Sequence, residues 1–499
     1  MQTSRARVDA SEPEKTRRLS ERTLAQVPGG VPRPNYDRAG TRIGTVHFGP
    51  GAFHRAHQAF YFDRLLEHDA HRAICAVSLR ASRVQEALQP QDGLYTLLQL
   101  DAAPTLSVEG AIRELLVAAE DPAAVSRRLS APGTSLVTMT VTEKGYCLDG
   151  AGGLDFDHPD IRHDLSRPET PRSLIGWLVQ GLALRRERGL APFLMVCCDN
   201  LSENGAKLRN AVLAFAARRD HALAGWIEAQ ARFPRTMVDS ITPATDAALR
   251  ERVAQRLGMR DEWPVQRERF VQWVVEETDC AGQPDWASVG VTMSRDVATY
   301  ERAKLRLLNG AHSTLAYVGL LAGIESVAQA VAHPGLRAFI EQLMEQDIEP
   351  TLPAARRGEL AGYRRSILRR FENPAMRHLL AQIAWDGSQK LPIRILGTMS
   401  DALGAHRPLE RLAVPIAAWM QFVRTRALAG SPIVDPLQTR LIACGRRATG
   451  DARHDLPGFL ELPGVFPPDL AQSAEFLRTV GEAYERIAGG GVLSALRPD

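Results

Sequence analysis

The sequence predicts an α/β domain built on a mostly parallel sheet, followed by a mostly α-helical domain. Three observations predict it. Short apolar runs at 43–48, 73–79, 95–100, 136–141 and 193–198 alternate with amphipathic helical stretches, the pattern of parallel strands covered by helices on both faces. The first run meets a glycine turn, Gly49-Pro50-Gly51, that leads into a helix through Leu66. From Tyr300 onward, nearly all apolar residues recur at helical spacing.

The length of 499 residues exceeds what one ordinary core organises. We read 39–290 as the α/β domain and 291–499 as the helical one. The Arg- and Pro-rich head, 1–38, is expected to be partly disordered. The chain is 44% hydrophobic and 24% charged, and its 61 basic and 58 acidic side chains leave a net charge of only +3. That near balance argues against nucleic acid or membrane as a partner. No apolar run approaches the ~20 residues needed to span a bilayer. The head has no apolar h-region and carries Asp9, Glu12, Glu14 and Glu21, so neither a secretory nor a transit signal is expected and the cytoplasm is the expected location. Six scattered cysteines without a CxxC pair suit a reducing compartment. Cys197 and Cys198 read as small buried residues on a strand.

Taken in order, the strand at 43–48, the glycine turn and the helix after it open a dinucleotide-binding βαβ unit. Gly49 and Gly51 let backbone approach a pyrophosphate, and the helix start supplies N–H donors. The fingerprint is incomplete, with Phe53-His54 where a third glycine would sit. His47, His54 and His57 have no carboxylate or cysteine cluster to complete a metal site, and no metal is expected. The second strand ends in Ser78-Leu79-Arg80, followed by Arg83, without the acidic residue that holds a ribose; this leaves NADP open beside NAD. Two later strands end in polar motifs at 140–146 and 198–205, and ligands of such sheets bind beyond the carboxyl ends of strands. A helix is expected at 173–188, a strand at 272–276 and a turn at 282–286. Helices then follow at 304–323, 334–347, 363–371, 374–386, 409–428 and 469–488.

The stretch 300–312 stands apart. On one helix Lys304, Asn309 and His312 fall within one broad arc, because each residue advances about 100°. A lysine, an amide and an imidazole can together take a proton, hold an oxyanion and orient a hydroxyl. Spacing alone favours an amphipathic helix with a solvated lysine and a capped histidine.

Six motifs in order settle the matter further: 49–58 (Gly-Pro-Gly-Ala-Phe-His-Arg-Ala-His-Gln), 140–146, Asp199-Asn200, Met237-Val238-Asp239, 304–312 and 386–390. Together they resemble the polyol-specific long-chain dehydrogenases, the mannitol dehydrogenase family. The resemblance implies a Rossmann-type domain, a helical domain and a site in the cleft between them. It implies metal-independent hydride transfer between NAD and a secondary alcohol or ketone. Carried over by position, Lys304 is the general acid/base, Asn200 and Asn309 hold the alkoxide, His312 orients the reacting oxygen, and Glu301 lies on the proton path. Asp239 and Lys390 bind substrate hydroxyls. Gly49, Gly51, Phe53, His54, Arg55, Thr142, Glu143 and Val238 line the cofactor. A lysine serves as base near neutrality only if burial or cationic neighbours lower its pKa from about 10.4 by several units.

Within the family, 381–394 resembles the fructuronate reductases (D-mannonate oxidoreductases) more than the mannitol 2-dehydrogenases. The latter place a substrate-contacting arginine where this chain has Gln382. The motif 142–147 and the turn Pro284-Asp285-Trp286 resemble the uronate enzymes too, although Ile393 departs from their pattern. A uronate carries one carboxylate more than a polyol, and Arg394 is the candidate to hold it. The expected function is thus NAD-dependent interconversion of D-fructuronate and D-mannonate. The alternatives are a polyol 2-dehydrogenase acting on mannitol, arabinitol or sorbitol, and a nucleotide-binding relative without chemistry. The expected partner is a small sugar acid or polyol, and the expected state is a monomer or weak homodimer.

Overall fold

A computed structural model of the chain describes residues 17–280, 282–353, 357–376 and 378–496. It divides into two compact units, Met1–Val297 and Ala298–Asp499; the sequence placed this boundary near 290. Of the head, residues 1–16 lie outside the described residues. The rest is fastened to the first unit: Leu19 is fully buried, and Arg38 donates to the carbonyls of Gly110, Asp92 and Ile112 and pairs with Glu21 at 2.7 Å.

The first unit is organised by five parallel strands: β1 (Ile43–Phe48), β2 (Ala73–Ser78), β5 (Ile112–Val117), β6 (Leu136–Met139) and β7 (Leu194–Cys197). Their order is β5-β2-β1-β6-β7, so the direction of winding reverses between β1 and β6. Each central strand is almost wholly buried, as a sheet with helices on both faces requires. The connecting helices are α1 (Ala52–Ala56), α2 (Gln58–Leu65), α3 (Arg83–Leu88), α4 (Pro122–Leu129), α5 (Pro159–Ser166) and α6 (Leu174–Glu187). Ser173 caps α6 by accepting from Gly176 N at 2.9 Å.

One strand departs from expectation. Residues 95–100 do form a strand, β3 (Tyr95–Leu100), but outside the parallel sheet. It pairs antiparallel with its chain neighbour β4 (Thr105–Glu109) and parallel with β9 (Val265–Glu268). The short link 101–104 favours that hairpin over a crossover. Its place at the sheet edge belongs to β5, which the sequence reading passed over because Arg113 and Glu114 interrupt its apolar run, as an edge strand tolerates. After α7 (Asn204–Arg219) and α8 (His221–Gln230), a third sheet joins β8 (Thr236–Asp239), β10 (Gln272–Glu276) and β11 (Thr292–Ser294), with α9 (Ala247–Leu257) inserted.

The second unit is helical: α10 (Val297–Ala303), which begins at its boundary, α11 (Gly310–Leu321), α12 (Val327–Ala332), α13 (Pro334–Gln342), α14 (Arg357–Glu372), α15 (Leu380–Ile383), α16 (Gly387–Leu391), α17 (Gly397–Gly404), α18 (Glu410–Leu428), α19 (Gln438–Arg447), α20 (Ala452–Leu460), α21 (Pro468–Ala471) and α22 (Ala474–Gly490). The core forms where α18, buried from Leu412 to Met420, packs against α11, α19 and α22. Of the helix expected at 374–386, whose residue 377 lies outside the described residues, the helical part is the four residues of α15. Asn373 turns the chain by accepting from Ala375 N at 3.0 Å, and Asp386 ends it in a left-handed conformation with φ 55°. Among the described residues no helix is long and apolar enough to cross a membrane.

Candidate active site

In the first unit the glycine turn lies at the carboxyl end of β1, where the winding reverses and where such sheets bind ligands. Gly49 has φ +87°, and a Cβ there would fall 2.1 Å from Thr140 O, so only glycine fits. Its own carbonyl accepts from Gly51 N at 2.7 Å and from Thr140 Oγ1 at 2.7 Å. Gly51 opens α1 and meets nothing closer than Gly49 O at 3.9 Å. The turn is therefore tied to β6 on one side and open on the other.

Beneath the turn lies His47, fully buried, with Nδ1 2.7 Å from Thr138 Oγ1 and Nε2 3.0 Å from Thr140 Oγ1. Its ring stacks on that of His54 at 3.3 Å. Burial lowers the His47 pKa to about 3 and holds that of His54 well below its usual value, so both rings are neutral spacers. Among the described residues no group of three His, Cys, Asp or Glu is placed to hold a metal. Arg55 turns inward, donating to Trp263 O at 2.6 Å between the Tyr95 and Trp263 rings. Of Phe53, His54 and Arg55, only Phe53 keeps partial exposure.

The ends of β6 and β7 are joined by Asp199, which accepts from Val141 N at 2.9 Å, Thr142 N at 3.1 Å and Tyr146 Oη at 2.7 Å. This fixes Thr142, whose φ is +67°, and burial followed by the Asp199 charge raises the pKa of Glu143. Asn200 follows at the surface. Val238 and Asp239 are buried on β8, in register with Trp273 and Gln272 of β10. Asn204 ties this strand to the end of β7: its amide donates to Cys197 O and Thr236 O and accepts from Thr236 N at 3.0 Å. Asp199, Tyr146 and Asn204 position the predicted residues, and the sequence reading assigned none of them a role. Their signal was present, since all three fall in the polar strand-end motifs. After β2, Arg80 pairs with Asp160.

In the second unit the expected single helix at 300–312 is broken by a π-helical turn, Lys304–Asn309. Gly310 N donates to Leu305 O, five residues back. In α-helical geometry Lys304 and Asn309 would stand about 140° apart; a turn that closes at i→i+5 brings the fifth residue round toward the first. Lys304 is 9% exposed and Glu301 sits in the last turn of α10 before it. His312, on α11, is buried against Phe371, with ring centroids 4.5 Å apart, and meets the His378 ring edge-on at 4.9 Å. Among the described residues its Nε2 has no hydrogen-bond partner.

A cavity of about 240 Å³ opens beside it, lined by His312, His378, Gln382, Ile383, Lys390 and Arg394. It brings together three predicted residues and adds His378, whose lone position in sequence carried no signal. Arg394 donates from Nη1 to Ser313 Oγ at 3.1 Å, and burial lowers its pKa to about 10. Lys390 donates to Trp385 O at 2.6 Å, and burial followed by the nearby Arg394 lowers its pKa. Among the described residues no carboxylate lines the cavity.

The family model described as mannitol dehydrogenase Rossmann domain matches residues 43–288, and that described as mannitol dehydrogenase C-terminal domain matches 296–488. D-mannonate oxidoreductase of Escherichia coli is 40% identical over 92% of this chain and 96% of its own. Two solved structures are each 34% identical over 96% of this chain. D-sorbitol dehydrogenase in substrate-free form has a TM-score of 0.88 and is covered over 100% of its length. Pseudomonas fluorescens mannitol 2-dehydrogenase, in ternary complex with NAD and D-mannitol, has a TM-score of 0.82 and is covered over 98%.

Proposed function

The chain belongs to the mannitol dehydrogenase family of oxidoreductases, and on that premise we propose that it interconverts D-fructuronate and D-mannonate with NAD. The observation that carries the substrate class is the cavity of the second unit. Lys390, Arg394 and two histidines line it, among the described residues without a carboxylate, a surround suited to a sugar that carries a negative charge.

The first unit fits a dinucleotide: Gly49 admits no side chain, and Gly51 leaves the turn open. NAD is favoured over NADP because Arg80, the first cation after β2, is paired with Asp160. When bound, the nicotinamide supplies the hydride acceptor for alcohol oxidation and the donor for ketone reduction. Lys304 takes the hydroxyl proton during oxidation and returns it during reduction, and Glu301 passes that proton toward water. Asn200 and Asn309 donate amide hydrogens to the developing alkoxide, each contributing ~3 kcal/mol. His312 orients the reacting oxygen, and Asp239 and Lys390 bind hydroxyls. Arg394 uses Nη1 on Ser313, which leaves Nε and Nη2 for two parallel hydrogen bonds to the carboxylate.

The second reading, a polyol 2-dehydrogenase, is favoured by the two solved relatives, both polyol enzymes by name. The deciding experiment is NADH oxidation with D-fructuronate and D-fructose in parallel, and NADPH as control. A large kcat/KM preference for fructuronate is expected. Arg394→Ala should raise KM for fructuronate ~10- to 100-fold, the loss of a charged hydrogen-bonded pair, and far less for fructose. Equal effects on both substrates would return the assignment to the polyol enzymes.

A further inference from the structure

We infer that His378 is a specificity-determining residue that recognises the substrate carboxylate in its protonated form, making affinity for the sugar acid, and not for a neutral sugar, fall with rising pH. The inference rests on the uronate reading above.

His378 lies between α14 and α15 on a segment held at its backbone. Its carbonyl accepts from Val327 N at 3.1 Å, its own N donates to Met376 O at 2.7 Å, and Leu379 bridges to Ser326. The ring is thus presented to the cavity by a fixed frame, while among the described residues it has no hydrogen-bond partner of its own. The other imidazole, His312, is stacked on Phe371 and buried, whereas His378 is only half-buried and can exchange a proton with solvent.

Charge then decides what the ring meets. Arg370 on α14, His312 on α11, Lys390 on α16 and Arg394 after it surround the cavity region. The acidic groups Asp386 and Asp435 act on Lys390, and Asp435 is already engaged by Ser388 N at 2.9 Å and Ser388 Oγ at 2.5 Å. Without a ligand, burial and then Arg370 lower the His378 pKa, so the ring is neutral at neutral pH. A bound carboxylate reverses the second influence and offers the ring a charged acceptor, so anion and proton bind together. By linkage, the affinity for an anion is greatest where the ring is already protonated. It falls as pH rises from the free-state pKa to the higher bound-state pKa.

The experiment is the ratio of KM for D-fructuronate to KM for D-fructose from pH 5.5 to 8, with NADH saturating. Because Lys304 and the cofactor act on both substrates, the ratio isolates the carboxylate. It should rise ~10-fold across this range in the wild-type enzyme, the yield of one linked proton over about one pH unit. His378→Gln should flatten it at the high value, and His378→Lys, a cation throughout, should flatten it at the low value. A rising ratio that survives in His378→Gln overturns the inference. So does a flat wild-type ratio accompanied by a fructuronate preference, and in both cases the uronate reading stands. A preference for fructose at every pH overturns that reading and takes the inference with it.

Discussion

The glycine turn allows a prediction that separates two glycines a residue apart. At Gly49 an alanine would hold φ near +87°, a left-handed backbone that costs a non-glycine residue ~1–2 kcal/mol. Its Cβ would also fall 2.1 Å from Thr140 O and 2.8 Å from Thr140 C, and real Cβ contacts essentially never come under 3.0 Å, so the ends of β1 and β6 must part by about 0.9 Å. That movement disturbs Thr140 N on Phe48 O at 2.9 Å and Thr140 Oγ1 on Gly49 O. One hydrogen bond weakened at each adds ~1 kcal/mol. Gly49→Ala should therefore lose ~3 kcal/mol of stability and bind NADH at least tenfold more weakly. At Gly51, with φ −67° and its nearest neighbour at 3.9 Å, alanine meets nothing in the protein. Gly51→Ala should keep its stability and lose only NADH affinity, because the methyl intrudes where the dinucleotide is proposed to lie. Urea unfolding and NADH fluorescence titration of both variants make the test. Equal stability losses would refute the steric argument, and unchanged NADH affinity in both would refute the placement of the cofactor.

Three further outcomes are expected. Lys304→Ala should lower turnover ~100- to 10,000-fold, the range for loss of a general acid/base, while NADH titration gives a Kd near the wild-type value; undiminished turnover removes Lys304 from the mechanism. Glu109 is buried beside Asp63, and burial followed by that charge raises its pKa from 4.5 to about 7. Between those values the unfolded chain releases this proton and the folded one keeps it, so the group's cost grows as pH rises and is complete above about 7. Glu109→Gln should accordingly gain stability over the wild type at pH 8 relative to pH 5 in urea titrations; a pH-independent difference contradicts the assignment. Gly387→Ala places a Cβ 2.4 Å from Tyr317 Oη and 2.7 Å from Trp419 Nε1, both on buried side chains, and should lower the urea midpoint by the equivalent of ~1–3 kcal/mol.

Most of the fold was legible because its strands and helices carry their own patterns. Residues 43–48 and 272–276 read as strands from local composition alone, and the helix expected at 173–188 is found as α6, though buried all round from Leu174 to Ala183 and not on one face. What escaped were features set by partners distant in sequence. β5 carries two charges that only an edge position explains, and β3 joins β9, over a hundred residues later, in a sheet that no local pattern announces. The failed helix at 374–386 had the right period. It was undone at Asn373 and Asp386, where side-chain turns and a left-handed backbone outweigh periodicity.

The site shows the same division more sharply. Lys304, Asn309 and His312 were found on one stretch and within one broad arc, but an ideal α-helix leaves the first two at the limits of that arc, about 140° apart. The π turn changes that, and the sequence hides it because a π turn has no residue signature; it arises when neighbours accommodate one residue more than an α-turn holds. Here the neighbours are visible. Arg306, in the middle of the turn, is held by Asp401 at 2.6 Å and Thr351 Oγ1 at 2.9 Å, while Leu307 and Leu308 are buried in the core. Gly310 closes the turn, with a Cβ there only 3.1 Å from Arg394 O. The backbone of Arg394, whose side chain lines the cavity, thus packs against the residue that ends the lysine's turn. A side chain added at Gly310 would press on both at once, so the spacing that makes the proposed acid/base and the surface that would choose its substrate are set by one contact.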